Sequence, residues 1–263
     1  MLVAPLEGPR PSCSSGLPVN YELRVACRNS VLGVRVASAS IRRGTMFPLG
    51  DDNSQRRTFP IVTLALIALN VLVFLVELNA GQAFIQQWAF VPRRFAADPM
   101  EQVHTIFTGM FMHGGWLHLF GNMLYLWIFG DNVEDEIGSF KFLVFYLLCG
   151  VAATLAQFYV STRSNIPNVG ASGAIAGVLG AYLVMFPNAR VRVLVYNQVV
   201  ALPALIVLGM WIALQVFSSV GSIASTNETN EQGGVAYMAH VGGFVAGLAL
   251  AFLFRNRGTL QTR

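Results

Sequence analysis

Long runs of apolar residues, separated by short polar segments, occupy most of the chain after residue 59. A helix needs about 20 predominantly apolar residues to cross the hydrocarbon core of a bilayer. The pattern predicts six transmembrane helices, at residues 60–78, 115–129, 140–160, 171–186, 199–219 and 235–254. The second and fourth are shorter than the others, so we expect them to lie centrally, where neighbouring helices shield them from lipid.

This pattern predicts an all-α polytopic membrane domain over residues 59–254, followed by a short tail at 255–263. Residues 1–58 differ, because their arginines are scattered among Ser, Gly and Pro without helical or strand periodicity. We expect this segment to be disordered. Three interpretations of it stay open: a cytoplasmic tail, a transit-like presequence, or an upstream extension with Met46 as the true start, which would leave residues 1–45 outside the mature protein.

Composition narrows the class of protein. Hydrophobic residues make up 54% of the chain and charged residues only 11%, whereas a soluble domain has about 25% charged residues. These values exclude an ordinary cytosolic enzyme, a disordered protein and a nucleic-acid binder. The three cysteines, Cys13, Cys27 and Cys149, are too scattered for a disulfide framework or a metal site. We expect no metal and no cofactor.

The arginines set the predicted orientation, since cytoplasmic loops carry an excess of Arg and Lys. With six spans, one side of the membrane receives Arg56, Arg57, Lys141, Arg190, Arg192, Arg255, Arg257 and Arg263. The other side receives Arg93, Arg94 and Arg163. Both termini should therefore be cytoplasmic, together with the acidic segment 131–136.

Polar groups inside a membrane span are costly and are candidates for function, and four of those in the predicted spans stand out. They are His118 and Asn122 in the second span, Ser172 in the fourth and His240 in the sixth. Taken singly, each could be an interhelical hydrogen bond or, for serine, a bond to its own helix. However, all three spans run inward from the outside, which places the four groups at one depth, within about 10 Å of the outer helix ends.

Small residues predict that the fourth and sixth helices pack closely. Each carries two glycines four residues apart, a spacing that lets helix backbones approach in lipid: Gly173 and Gly177, and Gly243 and Gly247. The contact would turn His240 toward Ser172, which makes a nucleophile and its general base. His118 and Asn122 share a helix face and would donate hydrogen bonds to an oxyanion. These three spans contain no acidic residue within their predicted bounds, so the site is a dyad.

At these residues the chain resembles the rhomboid family of intramembrane serine proteases. The nucleophile motif is Gly-Ala-Ser-Gly at 170–173, and the base motif is Ala-His-Val-Gly-Gly at 239–243, with Gly247 beyond it. His113, His118 and Asn122 match the family's His-x4-His-x3-Asn pattern. The stretch from 111 to 136 is typical of bacterial members, and the resemblance extends over about residues 46–254.

The resemblance implies a serine endopeptidase that cleaves membrane-protein substrates, often single-span, near the outer face of a bacterial inner membrane. It implies Ser172 as nucleophile and His240 as base, with Asn122, His118 and the Ser172 amide as oxyanion donors. His113, Gly170, Gly173, Gly243 and Gly247 would support the site. The loop at 79–112 would be membrane-embedded, and the fifth span would be the lateral gate for substrates.

Two positions depart from the family pattern. Many members carry a Trp-Arg pair in the long loop, where this chain has Gln102-Val103-His104. Some carry an aromatic residue four positions after the serine that stacks on the base, and Ala176 stands there. The second departure leaves open what orients His240.

Three other functions compete with this interpretation. A catalytically dead relative would be expected to lose the serine or the histidine, and both are present. A metal site using His113, His118 and His240 lacks the His-Glu-x-x-His signature. A transporter usually shows internal repeats and polar groups at mid-membrane, neither of which is seen. A soluble-type serine hydrolase is excluded because Ala174 replaces the last glycine of Gly-x-Ser-x-Gly.

Overall fold

A computed structural model describes residues 47–51, 56–224 and 236–255, and this part of the chain is mostly helical. In chain order the elements are strand β1 (Phe47–Gly50), helices α1 (Ile61–Ala80), α2 (Gln82–Trp88), α3 (Pro92–Ala97), α4 (Pro99–Gln102) and α5 (His104–Thr108), a 3₁₀ turn (Gly109–Phe111), helices α6 (Trp116–Ile137), α7 (Ser139–Val160) and α8 (Ser172–Met185), strands β2 (Arg190–Val195) and β3 (Gln198–Pro203), and helices α9 (Ala204–Ala224) and α10 (Tyr237–Phe254). Residues 1–46 of the predicted tail, with Arg257 and Arg263, lie outside the described residues.

Each predicted span corresponds to one of the long helices α1 and α6–α10. By length and composition, three of them could cross a membrane, namely α1, α7 and α10, while α8 and residues Ala204–Val220 of α9 are shorter apolar helices. Helix α8 has 14 residues, and Gly173 through Tyr182 are all buried. It therefore occupies the central position that its shortness predicts.

The helix at the second predicted span is longer than predicted. Helix α6 continues beyond Phe129 to Ile137, so the acidic segment 131–136 is the last part of a helix. Glu134 and Glu136 are buried there. The hydropathy pattern ended the span where the charges begin, because it carries no information on whether a carboxylate has hydrogen-bond partners.

The fold is mostly helical, as predicted, but the predicted all-α class is corrected in one respect, because the described residues also include three strands. Strands β1, β2 and β3 form an antiparallel sheet in that order. Strand β1 lies within the segment expected to be disordered, and it pairs Phe47 with Leu194 and Pro48 with Val193. A four-residue edge strand has no readable periodicity, and its partner is far away in sequence. Proline, which cannot donate a hydrogen bond to the ladder, is tolerated on such an edge.

A β-hairpin also replaces the predicted start of the fifth span. Strands β2 and β3 pair from Arg190 with Pro203 to Val195 with Gln198, so α9 begins only at Ala204. Residues 199–203 are apolar, which made them look like part of the helix, but valines favour strands when a pairing partner is close. The predicted loop at 79–112 is likewise more regular than expected, since it contains α2–α5 and the 3₁₀ turn.

Glu134 joins the beginnings of two helices to the end of a third. Its carboxylate accepts hydrogen bonds from the backbone N–H groups of Val62 at 2.9 Å and Thr63 at 2.7 Å, and from the Thr63 hydroxyl at 2.8 Å. The Ser139 hydroxyl at the start of α7 donates to it at 2.6 Å. The first N–H groups of a helix have no partner within the helix. A carboxylate near them also interacts favourably with the positive end of the helix dipole. Glu134 thereby caps α1, which has no side-chain cap at its own N-cap residue.

Asp51 connects the segment after β1 to the helices. One of its carboxylate oxygens accepts from the Tyr182 hydroxyl on α8 at 2.8 Å and from the Asn132 side chain on α6 at 2.7 Å. Burial raises the pKa of the Asp51 carboxyl to about 6. The residues after β1 are therefore part of the packed domain, which again differs from the disordered tail expected here.

Glycines bring α8 and α10 into backbone contact. A Cβ atom added to Gly243 would overlap the carbonyl oxygen of Gly173, and one added to Gly247 would overlap that of Gly177. A Cβ on Gly180 would likewise overlap the Phe244 carbonyl. The two glycine ridges noted in the sequence therefore face each other, and only residues without a side chain allow this separation.

We predict that Glu134→Ala destabilises the protein by about 3 kcal/mol, because several buried donors would lose a charged acceptor. Unfolding in detergent micelles, followed by circular dichroism against denaturant, measures the loss. Glu134→Gln should be less damaging, since its carbonyl oxygen still accepts. The control is Glu101→Ala, at an exposed carboxylate in α4, and equal losses in the Glu134 and Glu101 variants would contradict the assigned role.

Candidate active site

Ser172 is the first residue of α8, and the turn before it depends on glycine. Gly170 has a φ of +130°, a conformation that residues with a side chain rarely adopt. Its N–H donates to the Gly109 carbonyl at 2.9 Å, and the Asn168 N–H donates to the Phe90 carbonyl at 2.7 Å. The loop after α1 therefore holds the turn that presents Ser172.

The structure brings Ser172 and His240 together. His240 Nε2 lies 2.8 Å from Ser172 Oγ, a normal hydrogen-bond distance. His240 is 8% exposed, and the facing glycines of α8 and α10 set the separation of the two helices beside it. The first turn of α10 is also held by Gln157 of α7, whose side-chain oxygen accepts from the Ala239 N–H at 3.3 Å.

His118 points toward the serine from α6. The Gly114 N–H donates to His118 Nδ1 at 3.3 Å, so Nδ1 is an acceptor and the neutral ring carries its proton on Nε2. A Cβ atom on Gly170 would lie 2.9 Å from His118 Nε2 and 3.6 Å from Ser172 Oγ. The distance from His118 Nε2 to Ser172 Oγ is therefore no greater than the sum of these two distances. A side chain at position 170 would also collide with the His118 ring.

Asn122 lies one turn further along α6 and is 7% exposed. Within the described part of the chain, its side-chain amide Nδ2 is buried and has no hydrogen-bond partner. A buried donor without a partner costs free energy, so this group is either strained or available to an acceptor that enters the site. An interhelical hydrogen bond, the simpler interpretation of Asn122 in the sequence, is not seen for Nδ2.

His113 lies beside the site, and neither of its buried ring nitrogens has a hydrogen-bond partner among the described residues. Its backbone N–H donates to Glu77 of α1 at 3.1 Å, and its ring lies 5.2 Å from that of His118, between centroids. The Glu77 carboxylate was not identified from the sequence as part of this region. Among the described residues, no group of three His, Cys, Asp or Glu side chains is placed to hold a metal ion.

Two residues of α9 that were not predicted to belong to the site contact His240. Gln215 Oε1 lies 2.7 Å from His240 Nδ1, and the Trp211 ring lies 5.6 Å from the His240 ring with an interplanar angle of 37°. Trp211 supplies the aromatic contact that Ala176 cannot. Gln215 carries the same signal in the sequence as Asn122, namely an amide side chain within an apolar run.

Apolar helices thus hold a hydrogen-bonded Ser–His pair, half-buried at the serine, beside two further histidines and a buried asparagine amide nitrogen that has no partner among the described residues. A serine that is hydrogen-bonded to a histidine can act as a nucleophile with a general base. Comparison with known proteins identifies the family. A model of the rhomboid domain matches residues 100–257, which is more than half of the chain. The chain belongs to the rhomboid family, a family of intramembrane proteases.

Several rhomboid proteins are similar to this chain. Rhomboid protein 1, mitochondrial, of Saccharomyces cerevisiae is 28% identical over 70% of this chain and 50% of its own length. Rhomboid protease GluP of Bacillus subtilis is 32% identical over 73% of this chain and 35% of its own length. The putative rhomboid protease YdcA of Bacillus subtilis is 28% identical over 75% of this chain and 89% of its own length. The match spans half or less of the first two relatives.

Proposed function

We propose that this protein is an intramembrane serine endopeptidase that hydrolyses peptide bonds in or near the transmembrane segments of other membrane proteins. The observation that carries the proposal is the 2.8 Å hydrogen bond between Ser172 Oγ and His240 Nε2. The names of two relatives, which call them proteases, support it. The proposed substrates are single-span membrane proteins, and the proposed location is a bacterial inner membrane.

The reaction begins when His240 Nε2 accepts the Ser172 hydroxyl proton while Oγ bonds to the carbonyl carbon of the substrate. The negative charge moves to the former carbonyl oxygen. The proposed hydrogen-bond donors to this oxyanion are His118 Nε2–H, the Asn122 amide and the Ser172 backbone N–H. The Ser172 N–H is available because the first N–H groups of a helix have no partner within the helix.

After this attack, His240 Nε2 donates its proton to the departing amine as the peptide C–N bond breaks, which leaves an acyl-enzyme. Water then attacks the acyl-enzyme, with His240 as general base, and the acid product and Ser172 are released. Each step moves one proton through the same imidazole nitrogen. A dyad is sufficient for this proton transfer, because His240 alternates between base and acid.

We further propose six membrane crossings with both termini in the cytoplasm. Glu134 places the start of α1, the end of α6 and the start of α7 at one end of the bundle. Arg56 pairs with Asp131 at this same end, at 2.9 Å. The arginine asymmetry assigns that end to the cytoplasm, and Ser172 lies at the beginning of α8, near the opposite end.

Reporter fusions test this orientation. A fusion after Arg192 should read cytoplasmic and one near Arg163 should read external, because the two lie on either side of α8. A cytoplasmic signal from the Arg163 fusion would move the site to the other face of the membrane and contradict the proposal.

For the dyad, Ser172→Ala and His240→Ala should each abolish cleavage of a single-span test substrate in proteoliposomes while leaving the protein folded. The double variant should lose no more than either single one, since residues that act as a unit remove the same step. Matched controls are Ser219→Ala and His104→Ala, which alter the same residue types elsewhere and should stay active. Near-normal cleavage by either dyad variant would overturn the assignment.

Asn122→Ala should lower kcat by roughly 10²–10³ with little change in KM, because the oxyanion forms only beyond the ground state. Asn122→Asp should be at least as damaging, since an ionised carboxylate would repel the oxyanion. Cleavage kinetics and thermal unfolding are measured side by side. If the loss of activity only follows a loss of stability, Asn122 is an interhelical packing residue and donates nothing to the reaction.

A further inference from the structure

The base His240 uses both of its ring nitrogens, and each faces a different helix. Nε2 meets Ser172 of α8, and Nδ1 meets Gln215 Oε1 of α9 at 2.7 Å. Trp211, one turn before Gln215, covers the ring. Three contacts from two helices thus define the position of an imidazole that is carried by a third helix, α10.

We propose that Gln215 is a positioning residue of the catalytic site: it selects the protonation state of the His240 ring in which Nε2 is free to accept the serine proton. This inference rests on the proposed protease function and adds a third member to the Ser–His pair. The side chain of Gln215 meets the nitrogen of His240 that faces away from Ser172, so it acts through His240.

Hydrogen-bond chemistry determines which nitrogen of His240 carries the proton. An amide oxygen only accepts hydrogen bonds, so His240 Nδ1 must carry the proton when it bonds to Gln215 Oε1. In a neutral imidazole the other nitrogen is then unprotonated and can accept the Ser172 proton. Without this acceptor, the ring could hold its proton on Nε2, where it would donate to Ser172 Oγ and could not act as base.

The same contact assists the reaction after proton transfer. When His240 takes the serine proton, its ring becomes positively charged and Nδ1–H still donates to Gln215. A hydrogen bond with one charged partner is shorter and stronger than a neutral one. The amide therefore stabilises the charged ring without placing a buried carboxylate in the membrane, which would be costly in the resting state.

The test compares Gln215→Leu with Gln215→Glu in the full-length protein. Leucine has a similar size and no acceptor, whereas glutamate keeps an acceptor oxygen at the same reach. The control is Ser219→Ala, since the Ser219 hydroxyl donates to the backbone carbonyl of Gln215 at 2.8 Å and leaves its side chain in place. Three quantities are measured for each: cleavage kinetics, the rate of Ser172 labelling by a fluorophosphonate, and thermal unfolding.

We expect Gln215→Leu to lower kcat and the labelling rate in parallel, by roughly 10- to 100-fold, because one hydrogen bond to a charged group is lost. KM and the unfolding temperature should change little. Gln215→Glu should restore much of the rate, and the acidic limb of its kcat/KM profile should move to higher pH, since a carboxylate favours the charged ring. Ser219→Ala should behave as the wild type.

Other outcomes overturn the inference. These are wild-type labelling by Gln215→Leu, a rise in KM alone, or losses that follow unfolding and are not restored by Gln215→Glu. The ¹⁵N chemical shifts of the His240 ring give a readout that needs no catalysis: Nδ1 should carry the proton in the wild type and lose this preference in Gln215→Leu. An unlabelled, inactive wild type would instead reject the protease function, while the ring shifts would still decide the role of Gln215.

Discussion

The backbone contact between α8 and α10 is the constraint on which the candidate site depends. Ser172 and His240 each sit in the first turn or so of their helices, and the separation of their backbones is set by glycines on both sides. A single added methyl group at Gly243 or Gly247 would strike a carbonyl oxygen of the facing helix. In lipid, where no hydrophobic effect drives helices together, such close packing is a main source of association.

Two buried polar side chains at opposite ends of the helix bundle, Glu134 and Asn122, differ in their hydrogen bonding. At the end that holds Glu134, the carboxylate is saturated by donors from α1 and α7, so these charges serve the structure. At the other end, Asn122 Nδ2 is buried without a partner in the described structure. An unpaired buried donor costs free energy, and the well-bonded end supplies stability that offsets this cost.

Much of the helical fold could be predicted, because each apolar run is a local property of the chain. The errors fall where a distant partner decides the structure. Strand β1 exists only because β2 lies beside it, and residues 199–203 are a strand only because β2 precedes them closely enough to pair. Helix α6 passes through its acidic segment because Glu134 finds donors on other helices. None of these partners can be read from the local pattern of hydropathy.

For the site, the sequence by itself determined the residue types, their shared depth and the faces of α6, α8 and α10 on which they lie, since these follow from chain order and helical periodicity. Only the tertiary structure decided which atoms meet. Helix α9 is apolar on nearly every face, so its sequence does not indicate which side turns inward. The rotation of α9 against α10 places Gln215 on His240 Nδ1, and that rotation results from the packing of all the helices together.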